Sequence, residues 1–149
     1  MKQMDNFFIS IRDIELYYAD TDAMGVVYHA NYLKFFERGR TGLIEDIGYD
    51  YLEMENKGYF APVYDVYAMY KKPLRYGDQA KVKTWVETND GIKTVYGYQI
   101  INQNEEICVE GTTTHIIVSK ETFRPKPFKK IFPEWFHKYE EIKKQPTDK

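Results

Sequence analysis

The stretch Asn31-Tyr32-Leu33-Lys34-Phe35-Phe36-Glu37-Arg38-Gly39-Arg40-Thr41-Gly42-Leu43-Ile44-Glu45-Asp46-Ile47 decides the fold. Tyr32, Phe36, Gly39, Leu43 and Ile47 recur at intervals of four, three, four and four, which is one apolar stripe of an α-helix. Leu33, Arg40 and Ile44 flank the stripe, and Gly48 suits the left-handed position just past the helix end. A helix over residues 31–47 would be about 25 Å long. Gly39 in mid-stripe costs about 1 kcal/mol of helix propensity. It makes physical sense where a sheet must approach the helix backbone closely.

Working outward, Ile11 to Tyr18 alternates, with Ile14, Leu16 and Tyr18 on one face, and predicts a half-buried strand. Ala19 to Val27 contains Asp20, Thr21, Asp22 and Gly25 and reads as a loop. Beyond the helix, a polar stretch with Asn56, Lys57 and Gly58 precedes a Val- and Tyr-rich strand, Val63 to Lys72, which Pro73 ends. Gly77-Asp78 turns the chain. Ala80 to Thr88 alternates, and Asn89-Asp90-Gly91 is a hairpin turn leading into Lys93 to Ile101. Ile107 to Val118 is the last strand, and Pro133 can open a short closing helix bearing Trp135, Phe136 and Tyr139. Strand, long helix, then four strands predicts an α+β fold: one helix across a five-stranded antiparallel sheet.

The 149 residues suit one domain, with a core over about 10–133 and a basic C-terminal extension. At 43% hydrophobic and 30% charged residues the chain is not a disordered one. The single cysteine, Cys108, fits a reducing compartment. No apolar run reaches membrane-spanning length. Met1 to Ser10 carries Asp5 and Asn6 and lacks a signal core, so a cytoplasmic protein is expected. The net charge of −2 does not suggest a nucleic-acid binder. Charge is uneven, however: residues 120–149 hold nine Lys/Arg against five Asp/Glu.

Chemistry concentrates in Tyr18-Ala19-Asp20-Thr21-Asp22-Ala23-Met24-Gly25-Val26-Val27-Tyr28-His29-Ala30-Asn31-Tyr32. A carboxylate stands a few residues before a buried helix. The first amides of a helix lack internal partners and carry the positive end of its dipole, so they can hold a developing oxyanion. Asp22 beside them would act as base or nucleophile.

Residues 17–41 resemble the acyl-CoA thioesterases of the 4-hydroxybenzoyl-CoA thioesterase family, and within it the branch associated with the Tol–Pal system. The resemblance rests on Asp20-Thr21-Asp22, Gly25 to Tyr32 and Phe36-Glu37-Arg38, with Pro73, Gly77-Asp78 and Arg124-Pro125 as later matches. It implies the hot-dog fold, a central helix wrapped by a curved antiparallel sheet. It also implies a homodimer with sites at the subunit interface, and assembly into a homotetramer. The reaction implied is hydrolysis of an acyl-CoA to a free acid and CoA without a cofactor. Asp22 then matches the catalytic carboxylate, and the His29 backbone N–H matches the amide that polarises the thioester carbonyl. The side chains of Tyr28 and His29 would shape the site. The chain departs from the branch at Gly42, often glutamate, and Gly39, often alanine.

Other residues read more plainly. Asp20 is expected to accept hydrogen bonds in a turn. Glu37 and Arg40 are spaced to pair on the helix. Cys108 and His115 fall on opposite faces of a regular strand, which argues against a thiol–imidazole dyad. No metal-ligand spacing is present. Arg124 and Lys126, in the basic run to Lys130, are candidates for the CoA phosphates, with Lys71, Lys72 and Arg75 as rivals. Tyr64, Tyr67 and Tyr70 are expected in core and interface, with part of the strand lining an acyl tunnel. Two competing functions keep the fold: a hydratase or dehydratase using the His29 imidazole, and a non-catalytic acyl-CoA-binding dimer.

Overall fold

The computed structural model describes residues 7–146. Met1 to Asn6, on which much of the secretion argument rests, lie outside the described residues. The elements are β1 (Ser10–Ile14), α1 (Tyr32–Asp46), α2 (Tyr51–Asn56), β2 (Tyr59–Phe60), β3 (Val63–Tyr70), β4 (Ala80–Asn89), β5 (Lys93–Ile101), β6 (Ile107–Ile116), β7 (Val118–Ser119), α3 (Phe128–Ile131) and α4 (Pro133–Ile142). Five strands form one antiparallel sheet in the order β1-β4-β5-β6-β3, and β2 pairs with β7 separately. The long helix α1 lies against β1, β4 and β5. This is the α+β, hot-dog arrangement expected from the element order.

The stripe on α1 is the core seam: Tyr32, Phe35, Phe36, Gly39, Gly42, Leu43 and Ile44 are buried. Phe36 stacks on Tyr98 of β5, centroids 4.3 Å apart. Gly39 meets β4: a Cβ there would strike Thr84 Oγ1 and stand 2.9 Å from Val82 Cγ2. Sheet and helix backbone therefore meet at a position without a side chain. Gly42 has a different reason. The Arg12 side chain from β1 crosses it, so a Cβ at Gly42 would lie 2.8 Å from Arg12 Nε. Arg12 then donates to the Gly42 carbonyl at 3.0 Å and reaches Asp46 at the helix end. Gly48, with φ +88°, ends the helix as expected.

Four features depart from the sequence reading. β1 stops at Ile14, because the chain turns at Tyr18–Asp20, where the Tyr17 amide donates to Asp20 Oδ2 at 2.9 Å. The polar stretch after Gly48 contains α2, started by Asp50, whose carboxylate accepts from the Leu52 amide at 3.0 Å. β6 is not regular: Ile100 pairs with Val109 and Ile101 with Ile107, leaving Cys108 as the extra residue of a bulge. Finally, Tyr64, Tyr67 and Tyr70 do not enter the protomer's core. They are exposed, because β3 is an edge strand joined only to β6 among the described residues.

The closing helix α4 forms as expected. It buries Trp135, Phe136 and Tyr139, and Tyr139 shares a 2.6 Å hydroxyl–hydroxyl hydrogen bond with Tyr96. No helix of the described residues is long and apolar enough to cross a membrane.

Candidate active site

The loop before α1 is a small closed unit. Thr21 bridges Val27, the Asp22 amide donates to the Val26 carbonyl at 2.9 Å, and the Tyr28 amide donates to the Asp20 carbonyl at 2.9 Å. Gly25, at φ +80°, turns its tip. The Val27 amide donates to the Leu74 carbonyl at 2.8 Å, which ties the unit to the segment after β3. A short 3-10 turn, His29–Asn31, then leads into α1.

Two aspartates in this unit have separate tasks. Asp20 is 4% exposed, and its carboxylate accepts from Lys34 Nζ at 2.9 Å and from the Tyr17 amide. Burial works to raise its pKa, but Lys34 and the Tyr17 amide outweigh it and hold the carboxyl below the usual range. Asp20 is thus the turn acceptor the sequence suggested. Asp22 instead opens onto a cavity. Its Oδ1 accepts from the Met24 amide at 2.9 Å, a local turn bond, while Oδ2 has no hydrogen-bond partner among the described residues.

The cavity is about 270 Å³ and is lined by Asp22, Val27, His29, Tyr32, Tyr70 and Pro73, among others. Asp22 and His29 therefore both line this cavity, near the start of α1. The His29 amide makes no hydrogen bond among the described residues. Tyr70 Oη donates to the His29 carbonyl at 3.2 Å, which pins the peptide that follows. The His29 ring lies 4.6 Å from the Tyr28 ring and 6.2 Å from the Tyr70 ring, centroid to centroid. Burial pushes the Tyr32 phenol up to about 12, so it stays protonated.

The other sequence-predicted residues divide. Lys71 and Lys72 border the cavity, each ion-paired at 3.2 Å, with Glu110 and Glu106 respectively. Arg124 and Lys126 do not border it. They follow β7, with the Ser119 amide donating to the Arg124 carbonyl and the Lys126 amide donating to the Ile117 carbonyl. That places them at the Val63 end of β3, whereas Asp22 faces the Tyr70 end, roughly 23 Å away along the strand. Cys108 and His115 do not meet: the thiol lies 3.7 Å from the Glu106 carbonyl, and His115 bonds to Ala61 and Thr113. No metal-ligating cluster occurs among the described residues.

A second cavity, about 310 Å³, lies between the C-terminal half of α1, α2, the sheet and α4. Arg40, Ile44, Tyr51, Tyr96, His115 and Trp135 are among its lining. A hydrogen-bond chain of defined direction borders it. The Ala61 carbonyl can only accept, so His115 Nδ1 carries the proton, at 2.9 Å. Burial and the charge of Arg40 lower the His115 pKa to about 4, so the ring is neutral and Nε2 accepts from Thr113 at 3.0 Å. Thr113 in turn accepts from Tyr98 at 2.6 Å, and Tyr98 accepts from Arg40 Nη1 at 3.1 Å. The helix pair expected between Glu37 and Arg40 does not form within 4 Å, because Arg40 turns inward to Tyr98. Sequence reading did not find this cluster. Its signal is the period-two alternation of Tyr96/Tyr98 on β5 and Thr113/His115 on β6, with Tyr96 opposite Thr113.

Comparison with known proteins agrees with the fold. Residues 18–136 match the family model described as thioesterase-like superfamily. The chain is 52% identical, over 91% of its length and 99% of the relative's, to a Bacillus subtilis protein named "Putative acyl-CoA thioesterase YneP". It is 27% identical, over 78% of its length and 87% of the relative's, to the acyl-CoA thioester hydrolase YbgC of Escherichia coli. Among solved structures, a DHNA-CoA thioesterase from Staphylococcus aureus superposes with a TM-score of 0.87 at 40% identity, covering 90% of each chain.

Proposed function

The chain belongs to the thioesterase-like superfamily, and from that premise we propose that it hydrolyses an acyl-CoA thioester to a carboxylic acid and CoA, with Asp22 and the His29 amide as its working groups. The observation that carries the assignment is that Asp22 and His29 line one cavity at the start of α1, while the neighbouring Asp20 is consumed by Lys34. The thioester carbonyl oxygen sits at the His29 N–H, at the positive end of the helix dipole. Asp22 either takes a proton from the attacking water or attacks the carbonyl itself to form a mixed anhydride. In both routes the C–S bond breaks and CoA leaves, taking a proton as the thiol; in the second, water then cleaves the anhydride, which releases the acid and restores the Asp22 carboxylate. No cofactor enters, because CoA arrives with the substrate.

The hydratase reading needs a His29 imidazole steered by an acidic partner. Among the described residues the ring packs between Tyr28 and Tyr70 instead, and this favours hydrolysis. Tyr28, 45% exposed, does not line the cavity and meets the site only through the His29 ring.

The exposed edge of β3 supports a homodimer. An uncovered strand with Tyr64, Val66, Tyr67 and Met69 exposed is a template for pairing. Antiparallel pairing of two β3 strands brings the Val63 end of one copy to the Tyr70 end of the other. In that arrangement the partner's Arg124 and the partner's Lys126 approach the Asp22 cleft, where they would take the CoA phosphates. Further pairing into a homotetramer, a cytoplasmic setting and membership of the Tol–Pal-associated branch complete the reading. They rest on the sequence motifs and on the lone, buried Cys108.

The test is thiol release from a panel of acyl-CoAs with wild type, Asp22→Asn and His29→Ala. Asp22→Asn should lose ~10²–10⁴-fold, and His29→Ala should lose far less because its amide remains. Full activity in Asp22→Asn overturns the assignment; binding without thiol release from any substrate supports the non-catalytic reading instead.

A further inference from the structure

We infer that the cavity holding Arg40 receives the far end of the acyl group, and that Arg40 selects acyl groups carrying a carboxylate away from the thioester. This rests on the thioesterase reading above. The cavity is walled largely by apolar and aromatic side chains, among them Ile44, Tyr96 and Trp135. Its volume, about 310 Å³, lies at the lower end for ligand sites and suits one acyl group rather than a whole acyl-CoA.

The informative group is the guanidinium. Arg40 has five N–H donors, and one of them, on Nη1, reaches Tyr98. The others have no protein acceptor among the described residues, and no carboxylate lies within 4 Å. The nearest acid along the helix, Glu37, is exposed at the rim. Glu37, the carboxylate that acts on Arg40, stands beyond ion-pair distance, which leaves guanidinium donors free for a ligand's anion. The chain through Tyr98, Thr113 and His115 holds the guanidinium in one orientation. Neutral His115 adds no second positive charge. An oxygen anion entering the cavity would meet a planar fork of donors suited to it.

The Asp22 cleft and this cavity share no lining residue within one protomer. Val63 borders the Arg40 cavity and Tyr70 borders the Asp22 cleft. Antiparallel β3 pairing therefore sets the cleft of one copy beside the Arg40 cavity of the other, so that one acyl-CoA can occupy both.

The experiment compares adipoyl-CoA with hexanoyl-CoA. Wild type should favour adipoyl-CoA by about tenfold or more in kcat/KM. Arg40→Gln should collapse that ratio toward one, and Arg40→Lys should restore part of it. No preference for adipoyl-CoA, or a ratio unchanged in Arg40→Gln, overturns the inference. The same two thioesters are titrated onto Asp22→Asn protein, with and without Arg40→Gln, and the ratio of Kd values is read. Equal Kd for the two overturns the inference even if no thioester is cleaved. Loss of thiol release from hexanoyl-CoA in Asp22→Asn tests the thioesterase reading separately.

Discussion

Arg12 on β1 grips Asp46 in the last turn of α1 with two hydrogen bonds, 2.7 Å from Nη2 to Oδ1 and 3.1 Å from Nη1 to Oδ2. Ser10 adds a third to Oδ2, at 2.6 Å. Burial works to raise the Asp46 pKa, but Arg12 and Ser10 outweigh it and hold the carboxyl below its usual range. The folded value is depressed, so the stabilisation is fully present above the unfolded value of about 3.9 and is lost as pH falls through the folded one. Arg12→Met should cost about 1–2 kcal/mol at pH 7, and the difference from wild type should shrink near pH 3. Urea unfolding at both pH values checks this; an equal difference at both would assign the loss to packing.

Gly39 and Thr84 should behave as one unit. Adding a methyl at Gly39 gains about 1 kcal/mol of helix propensity, but the methyl strikes Thr84 Oγ1 in a fully buried contact. Overpacking of this kind costs about 1–3 kcal/mol, so Gly39→Ala should be net destabilising. Thr84 Oγ1 has no hydrogen-bond partner, so Thr84→Ala gives up little beyond its packing. The double variant should therefore be more stable than additivity predicts, which a urea double-mutant cycle measures.

Asp20 and Asp22 should separate stability from rate. Asp20→Asn weakens the ion pair to Lys34, 2.9 Å long, beneath the loop and should lower stability by about 1–2 kcal/mol. Asp22→Asn, at a half-buried position with only a local turn bond, should leave the melting temperature nearly unchanged while thiol release collapses. Thermal melts run beside the activity assay on both proteins decide it.

The uncovered edge of β3 should govern assembly. Val66→Lys places a charge on a strand whose exposed residues are mainly apolar and aromatic. Light scattering should show the wild-type dimer giving way to monomer, with activity falling in parallel. A wild type that is monomeric at micromolar concentration would contradict the arrangement.

The parts of this protein readable in sequence are those with local periodicity. The α1 stripe, the need for Gly39 and the Asn89-Asp90-Gly91 hairpin each depend on residues a few positions apart. Asp22 and His29 line one cavity for the same local reason, since one short loop carries both. The exposure of Tyr64, Tyr67 and Tyr70 was not legible, because alternation records apolar character and not which side of a strand is covered. The chain from Arg40 to His115 was hidden because it joins a helix to two strands, and its first bond spans 58 positions. Equally, the spacing of Glu37 and Arg40 permits a pair on the helix, and only tertiary packing turns Arg40 away from it.

The bulge in β6 has a practical corollary. It leaves Cys108 with no exposed surface, and burial, with Asp78 and Glu106 nearby, raises its pKa. A sulfhydryl so sheltered reacts slowly with aromatic disulfide dyes. Colour developed by such a dye over native protein would therefore report liberated coenzyme alone, and a burst of extra colour upon adding denaturant would count the protein molecules in the cuvette.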